Sequence, residues 1–170
     1  MRIRPYRKTD ASYIREWIAD EKVHAMWSAG KLPYGFLEND LENLLAEAEA
    51  GYNQSAFTAV LDDGTPVGSF CMGFTVEDNS AFMCRIVVDG NKRGQGLGKQ
   101  MLKLALYYAF LVLQVDMVRL SVFDCNMPAR YAYEKAGFTE ESFTPEAFAF
   151  KEQKWGRYIL KISKAEFMVQ

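Results

Sequence analysis

Arg93-Gly94-Gln95-Gly96-Leu97-Gly98-Lys99 follows the apolar run Ile86-Val87-Val88 and opens a segment, Leu97 to Leu113, with helical periodicity. A Gly-rich turn between a strand and a helix receives anionic groups. Its glycines let the backbone approach a ligand, and the helix start offers unpaired N–H groups and the positive end of its dipole. The expected guest is a phosphate or diphosphate. A Walker A loop is excluded, because Gly98-Lys99 is followed by Gln100 rather than Ser or Thr and position 93 is Arg rather than Gly. A dinucleotide fingerprint needs G-x-G-x-x-G, but Gly94, Gly96 and Gly98 are spaced by two and Lys99 stands in the third glycine's place.

The stretch resembles the acyl-coenzyme A loop of the GNAT (GCN5-related) N-acetyltransferases, a Gln or Arg, two residues, Gly, any residue, then Gly or Ala. Arg93, Gly96 and Gly98 fit that pattern. Downstream, Asn126, Ala129 and Tyr133-Glu134-Lys135-Ala136-Gly137-Phe138 resemble the family's later motif at the family's spacing. The resemblance is strong over residues 81 to 138 and general on the flanks.

Composition agrees with one domain over residues 1–170, since 49% hydrophobic and 25% charged residues suffice for a full core. The net charge of −2 argues against nucleic-acid binding, which normally needs a clustered basic excess. Three cysteines without a C-x-x-C pair argue against a disulfide framework and for a reducing compartment. No apolar signal region follows Met1, and no apolar run is long enough for a membrane span. A soluble, cytoplasmic protein is expected. The lone histidine, His24, and the scattered cysteines do not make a metal cluster, so no metal is expected.

Ile3 to Tyr6 is a strand, and Thr9-Asp10 caps a helix from Ala11 to Ala19. From Asp20 to Gly51 the pattern is helical and acidic, with Leu37, Leu41, Leu44 and Leu45 at helical spacing. Phe57 to Leu61 and Pro66 to Thr75 are strands joined at Asp62-Asp63-Gly64. Ala81 to Val88 is a strand whose partly non-alternating pattern predicts cover on both faces. The helix from Leu97 places Leu97, Met101, Leu104, Ala105, Tyr108 and Leu111 on one stripe. Val118 to Phe123 and Lys154 to Ile162 are strands, and Pro128 to Lys135 is a short helix stopped at Gly137. This order suits a mixed α/β sheet with the anion turn after a central strand. The resemblance implies the acyl-CoA N-acyltransferase fold, a mixed, mostly antiparallel central sheet flanked by helices.

The resemblance also implies roles. Ile86, Val87 and Val88 would offer backbone groups to the pantetheine arm and thioester carbonyl. Arg93, Gly94, Gln95, Gly96, Leu97, Gly98 and Lys99 would cradle the diphosphate. Asn126 would contact the cofactor or brace the splayed strands, while an Asn before a short helix is equally a cap. Tyr133 would be the general acid that protonates the departing coenzyme A thiolate, with Tyr131 beside it as packing. Where some relatives place a Glu base this chain has Ser121, leaving a water chain, Glu77 or Asp124, or capture of neutral amine. Cys84 and Cys125 lack a His neighbour in sequence and read as filler rather than acyl carriers. Substrate choice in the family falls to segments that here span His24 to Gly51 and Thr139 to Trp155. The first carries Glu38, Asp40, Glu42, Glu47 and Glu49 with Trp27, Tyr34 and Phe36. They are read as a cationic-amine subsite or, with more weight, as a solvated helix face.

The implied partners are acetyl-CoA as cosubstrate and an amine acceptor, without nucleic acid or membrane, and a homodimer is compatible with the pattern. The leading function is transfer of an acetyl group from acetyl-CoA to a primary amine by direct attack on the thioester. A non-catalytic acyl-CoA sensor stays open, on the strength of Ser121, as does O-acetylation or another acyl donor.

Overall fold

The computed structural model describes residues 1–92 and 94–169. Seven strands form one sheet: β1 Arg2–Pro5, β2 Gln54–Val60, β3 Pro66–Thr75, β4 Ser80–Val88, β5 Met117–Phe123, β6 Thr139–Phe150 and β7 Gln153–Ser163, in the order β1-β2-β3-β4-β5-β7-β6. Every neighbouring pair is antiparallel except β4 with β5, which is parallel. The helices are α1 Ala11–Trp17, α2 Glu21–Ser28, α3 Glu38–Tyr52, α4 Leu97–Tyr107, α5 Met127–Lys135 and α6 Lys164–Met168.

Both faces of the sheet are covered, as the pattern of β4 predicts. On one face α4 packs Met101, Leu102, Ala105 and Leu106 with Phe70, Met83, Val118 and Leu120. On the other, Ile14, Trp17, Trp27 and Leu41 from α1, α2 and α3 close over Val87. A methyl group at Gly68 of β3 would stand 2.8 Å from Met101 Sδ and 2.9 Å from the Val87 carbonyl. Its absence lets α4 lie close against the end of β4 and fixes the height of the turn between them.

Several details differ from the sequence reading. The acidic segment holds two helices, α2 and α3, separated by Ala29 in the left-handed conformation and a short turned stretch. The stripe on α4 is rotated: Leu111 is 51% exposed, while Leu102, Leu106, Ala109 and Phe110 are buried. The helix widens to a π-helical turn over Tyr108–Val112, in which Ala109 and Phe110 face the core and Leu111 turns outward. Tyr131 is 62% exposed and beneath the Lys135 ammonium, not packing. Strand β6 is hidden in the sequence because Pro145 interrupts it and three acids, Glu140, Glu141 and Glu146, crowd it. It is an edge strand in which the register slips between Thr144 and Phe148, where a residue without an N–H is tolerated.

Asp10 does not cap α1 with its side chain. The carboxylate, 2% exposed, accepts both Arg4 guanidinium nitrogens at 2.7 and 2.8 Å, the Thr58 hydroxyl at 2.8 Å and the Arg7 N–H at 2.9 Å. Burial opposes its ionisation, but Arg4, Thr58 and the Arg7 N–H together hold it below its ordinary range. A carboxyl whose folded pKa is depressed stabilises the fold above its unfolded pKa of about 4, and that stability is lost as pH falls through the folded value. Asp10→Ala is expected to cost about 3 kcal/mol, because it strands Arg4 and Thr58. The wild-type advantage in urea melts should shrink below about pH 4.

Candidate active site

Strands β4 and β5 pair in register only from Ser80↔Met117 to Met83↔Leu120. Beyond that point they separate, β4 running on to Val88 and β5 to Phe123. Two features force the split. The β3–β4 register slips between Ser69 and Cys71, and opposite that slip Arg85 takes a positive φ of 49°, so β4 bulges and turns its edge. Trp27 of α2 then pins the bulge, its Nε1–H donating to the Arg85 carbonyl at 2.9 Å. On the edge of β4 that faces β5, the backbone groups past Met83 have no partner in β5.

The gap is a cleft of about 190 Å³. Ile86 and Val87 of β4, Ser121 and Phe123 of β5, Asn126 and Tyr133 line it, with Trp27 on the α2 side. Val88 lies one residue past the lining, its Cγ2 3.7 Å from where a Cβ on Gly98 would sit. Asn126 lines the cleft and also caps α5, accepting from the Ala129 N–H at 3.4 Å.

Tyr133, on the inner face of α5, is 7% exposed, with its ring edge-on to Phe138. No hydrogen bond of its hydroxyl occurs among the described residues, so the group is free to serve a guest of the cleft. Burial pushes the phenol well above its ordinary value near 10, so it stays protonated throughout the neutral range.

The Gly-rich turn sits past the C-terminal end of β4. Gly94 and Gly96 have φ of 76° and 74°, and Gly96 is the N-cap of α4 in the left-handed conformation. A Cβ at either would meet nothing within 4 Å, so the turn stands open to a ligand. Gln95, Leu97 and Gly98 continue it into the first turn of α4, where helical N–H groups have no intrahelical acceptor. Arg93, expected to contribute charge here, lies outside the described residues. Lys99 faces a second cavity on the outer side of α4, with Lys103, Tyr107 and Lys135, rather than the cleft.

Of the alternatives for a base, Glu77 lies in the β3–β4 turn, at the far end of the sheet from the split. The Asp124 carboxylate is held by the Gly156 N–H at 2.9 Å. Cys84 lines the cleft and accepts from Gln54 Nε2 at 3.1 Å. The Cys71 thiol opposite, together with Arg85 and Gln54, lowers its pKa against the effect of burial. Cys125 is raised by burial. His24 does not line the cleft. Its ring packs against Tyr34 and Phe36, its Nε2 is buried without a partner, and burial lowers its pKa.

The acids of α3 serve structure. Asp40 accepts from the Leu37 N–H at 2.8 Å, Glu42 from the Tyr6 hydroxyl at 2.6 Å, and Glu38 approaches Arg15 at 4.0 Å. None of them lines the cleft. Sequence reasoning missed Arg85, Lys31 and Arg157 among the lining residues. Only Arg85 carried a signal, as a charge inside an otherwise apolar strand.

The site thus combines a split pair of parallel strands, an open Gly-rich turn at the next helix and a buried tyrosine lining the gap. The acetyltransferase (GNAT) family model matches residues 12–138, well over half of the chain. The chain belongs to the GNAT acetyltransferases. As a member of that family it is an acetyltransferase with acetyl-coenzyme A as acyl donor. Among solved structures it is similar to the Vibrio cholerae spermidine N-acetyltransferase in complex with coenzyme A and spermine. That match has a TM-score of 0.84 and 19% identity, covering 98% of this chain and 96% of the other. A chimera of that enzyme matches with a TM-score of 0.83 and 18% identity over the full length of both chains. The likeness is one of fold. No described helix is long and apolar enough to cross a membrane.

Proposed function

We propose that residues 1–170 work as one acetyltransferase domain in which the turn Gly94 to Lys99, with Arg93, holds the diphosphate of acetyl-coenzyme A. The pantetheine arm then runs into the split between β4 and β5. Backbone groups of Ile86, Val87 and Val88 on the open edge of β4 receive the arm and the thioester oxygen. Asn126 braces the opposite wall. The observation that carries this reading is the end of β4–β5 pairing at Met83 and Leu120, which opens a cleft lined by Tyr133 while β4 runs on to Val88 and the Gly-rich turn.

The neutral amine attacks the thioester carbon and the N–C bond forms while negative charge gathers on the carbonyl oxygen. One well-placed backbone donor contributes about 3 kcal/mol to that oxyanion. The C–S bond then breaks. The products are the N-acetyl amine, coenzyme A as thiol, and the proton that the ammonium form of the acceptor gave up. A phenol with so high a pKa is a reluctant donor of a whole proton to a thiol-sized leaving group of pKa near 8.5. Tyr133 acts first as a hydrogen-bond donor to the developing thiolate, and transfer completes as coenzyme A departs. Its open, unpartnered hydroxyl favours catalysis over the sensor reading. The three free cysteines support a reducing, cytoplasmic setting.

Incubation with acetyl-coenzyme A and a panel of primary amines tests the proposal by the release of free thiol. Amine-dependent release is expected. Tight binding of acetyl-coenzyme A with no release across the panel would establish the sensor instead.

A further inference from the structure

The walls of the cleft carry Lys31, Arg85 and Arg157 and no aspartate or glutamate. None of the three forms an ion pair among the described residues. They come from three parts of the chain: the turn after α2, the bulge of β4, and β7, where Arg157 stands opposite Phe123. Arg85 is the most confined. Its Nη1 donates to Gln54 Oε1 and Cys84 Sγ, and its Nε is buried with no acceptor. A half-buried guanidinium whose Nε is out of solvent without an acceptor, and which has no carboxylate, is an unmet demand for an anion.

The diphosphate of the donor does not meet that demand. Arg85 precedes Val88 by three residues on an extended strand, about 10 Å back from the strand end beyond which the anion turn lies. The cations therefore belong to the acceptor end. A polycation finds nothing to hold it there, since the acids of α3 are engaged elsewhere or outside the cleft. Positive charge beside the reacting nitrogen also disfavours its ammonium form, which eases the deprotonation for which Ser121 offers no carboxylate.

We propose that the acceptor is a primary amine that itself carries an anionic group, a carboxylate or a phosphate, bound by Arg85 with Arg157 and Lys31. This rests on the acetyltransferase reading above and deepens it. The bond changes are those already given, and the anionic group is unchanged in the product.

The test uses the full chain with saturating acetyl-coenzyme A and thiol release as readout. β-Alanine and the α-amino acids form the carboxylate arm beside propylamine, O-phosphoethanolamine forms the phosphate arm beside ethanolamine, and spermidine is the polycation. At least a tenfold higher kcat/KM for one anionic arm over its neutral partner is expected, and the better arm identifies the anion. In Arg85→Met, and in the exposed and more tolerant Arg157→Gln, the ratio of KM between neutral and anionic amine should collapse toward one while acetyl-coenzyme A affinity holds. Spermidine ahead of every anionic amine, or a ratio unmoved in both variants, overturns this inference and leaves the enzyme reading intact. Absence of release with any amine, while acetyl-coenzyme A still binds, overturns both.

Discussion

Replacing Tyr133 with Phe is expected to lower kcat by about two to three orders of magnitude while leaving acetyl-coenzyme A affinity within about twofold. The ring is 7% exposed and edge-on to Phe138, so Phe keeps its packing and only the hydroxyl is lost. That hydroxyl has no protein partner among the described residues, so its removal strands no buried group and the fold should be spared. On the proposed mechanism, what disappears is the hydrogen-bond donor to the leaving sulfur. Because burial keeps the phenol protonated, its loss should depress the rate evenly across the neutral range rather than move a titration limb. Single-turnover measurement of thiol release separates this from slow product dissociation. An unchanged single-turnover rate would remove Tyr133 from the chemistry.

The larger effect on binding is expected at Gly96. Its φ of 74° already disfavours any side chain, at a cost of roughly 1–2 kcal/mol. Glutamate adds a negative charge at the mouth of the anion turn. Two like charges about 4 Å apart at an effective dielectric of 20 repel by about 4 kcal/mol, near a thousandfold in Kd. Gly96→Ala carries the backbone cost without the charge and should lose no more than about tenfold. Calorimetric titration of acetyl-coenzyme A into both variants distinguishes the terms. Equal, wild-type-like binding by the two would mean that the turn does not hold the diphosphate.

Much of this was legible in sequence, and what was not has physical causes. The period-two and period-four patterns located β3, β4, β5 and α4, because each must bury one face or both on a shared core. The turn after Val88 was legible because only glycine occupies its conformation at Gly94 and Gly96 without strain. Asn126 was legible as a cap, and Tyr133 through the resemblance of Tyr133 to Phe138 to the family's later motif. The bulge of β4 was not, since Arg85 adopts a positive φ that an arginine gives no reason to expect; tertiary pinning by Trp27 holds it there. Leu111 and Tyr131 were misplaced because a π-helical turn and a short helix on the rim change which face meets the core. Strand β6 was hidden by Pro145. The charge of the cleft was invisible for a different reason: Lys31, Arg85 and Arg157 are far apart in the chain, whereas the acids of α3 are contiguous and drew attention to a face that does not border the site.

The most direct test of the central claim is a crystal structure of the protein with coenzyme A bound. The account predicts diphosphate oxygens within hydrogen-bond distance of the N–H groups between Gly94 and Lys99. It also predicts the pantetheine arm between β4 and β5, and the sulfur within reach of the Tyr133 hydroxyl. Coenzyme A seated instead against the lysines on the outer face of α4, with the split between the strands empty, would contradict it.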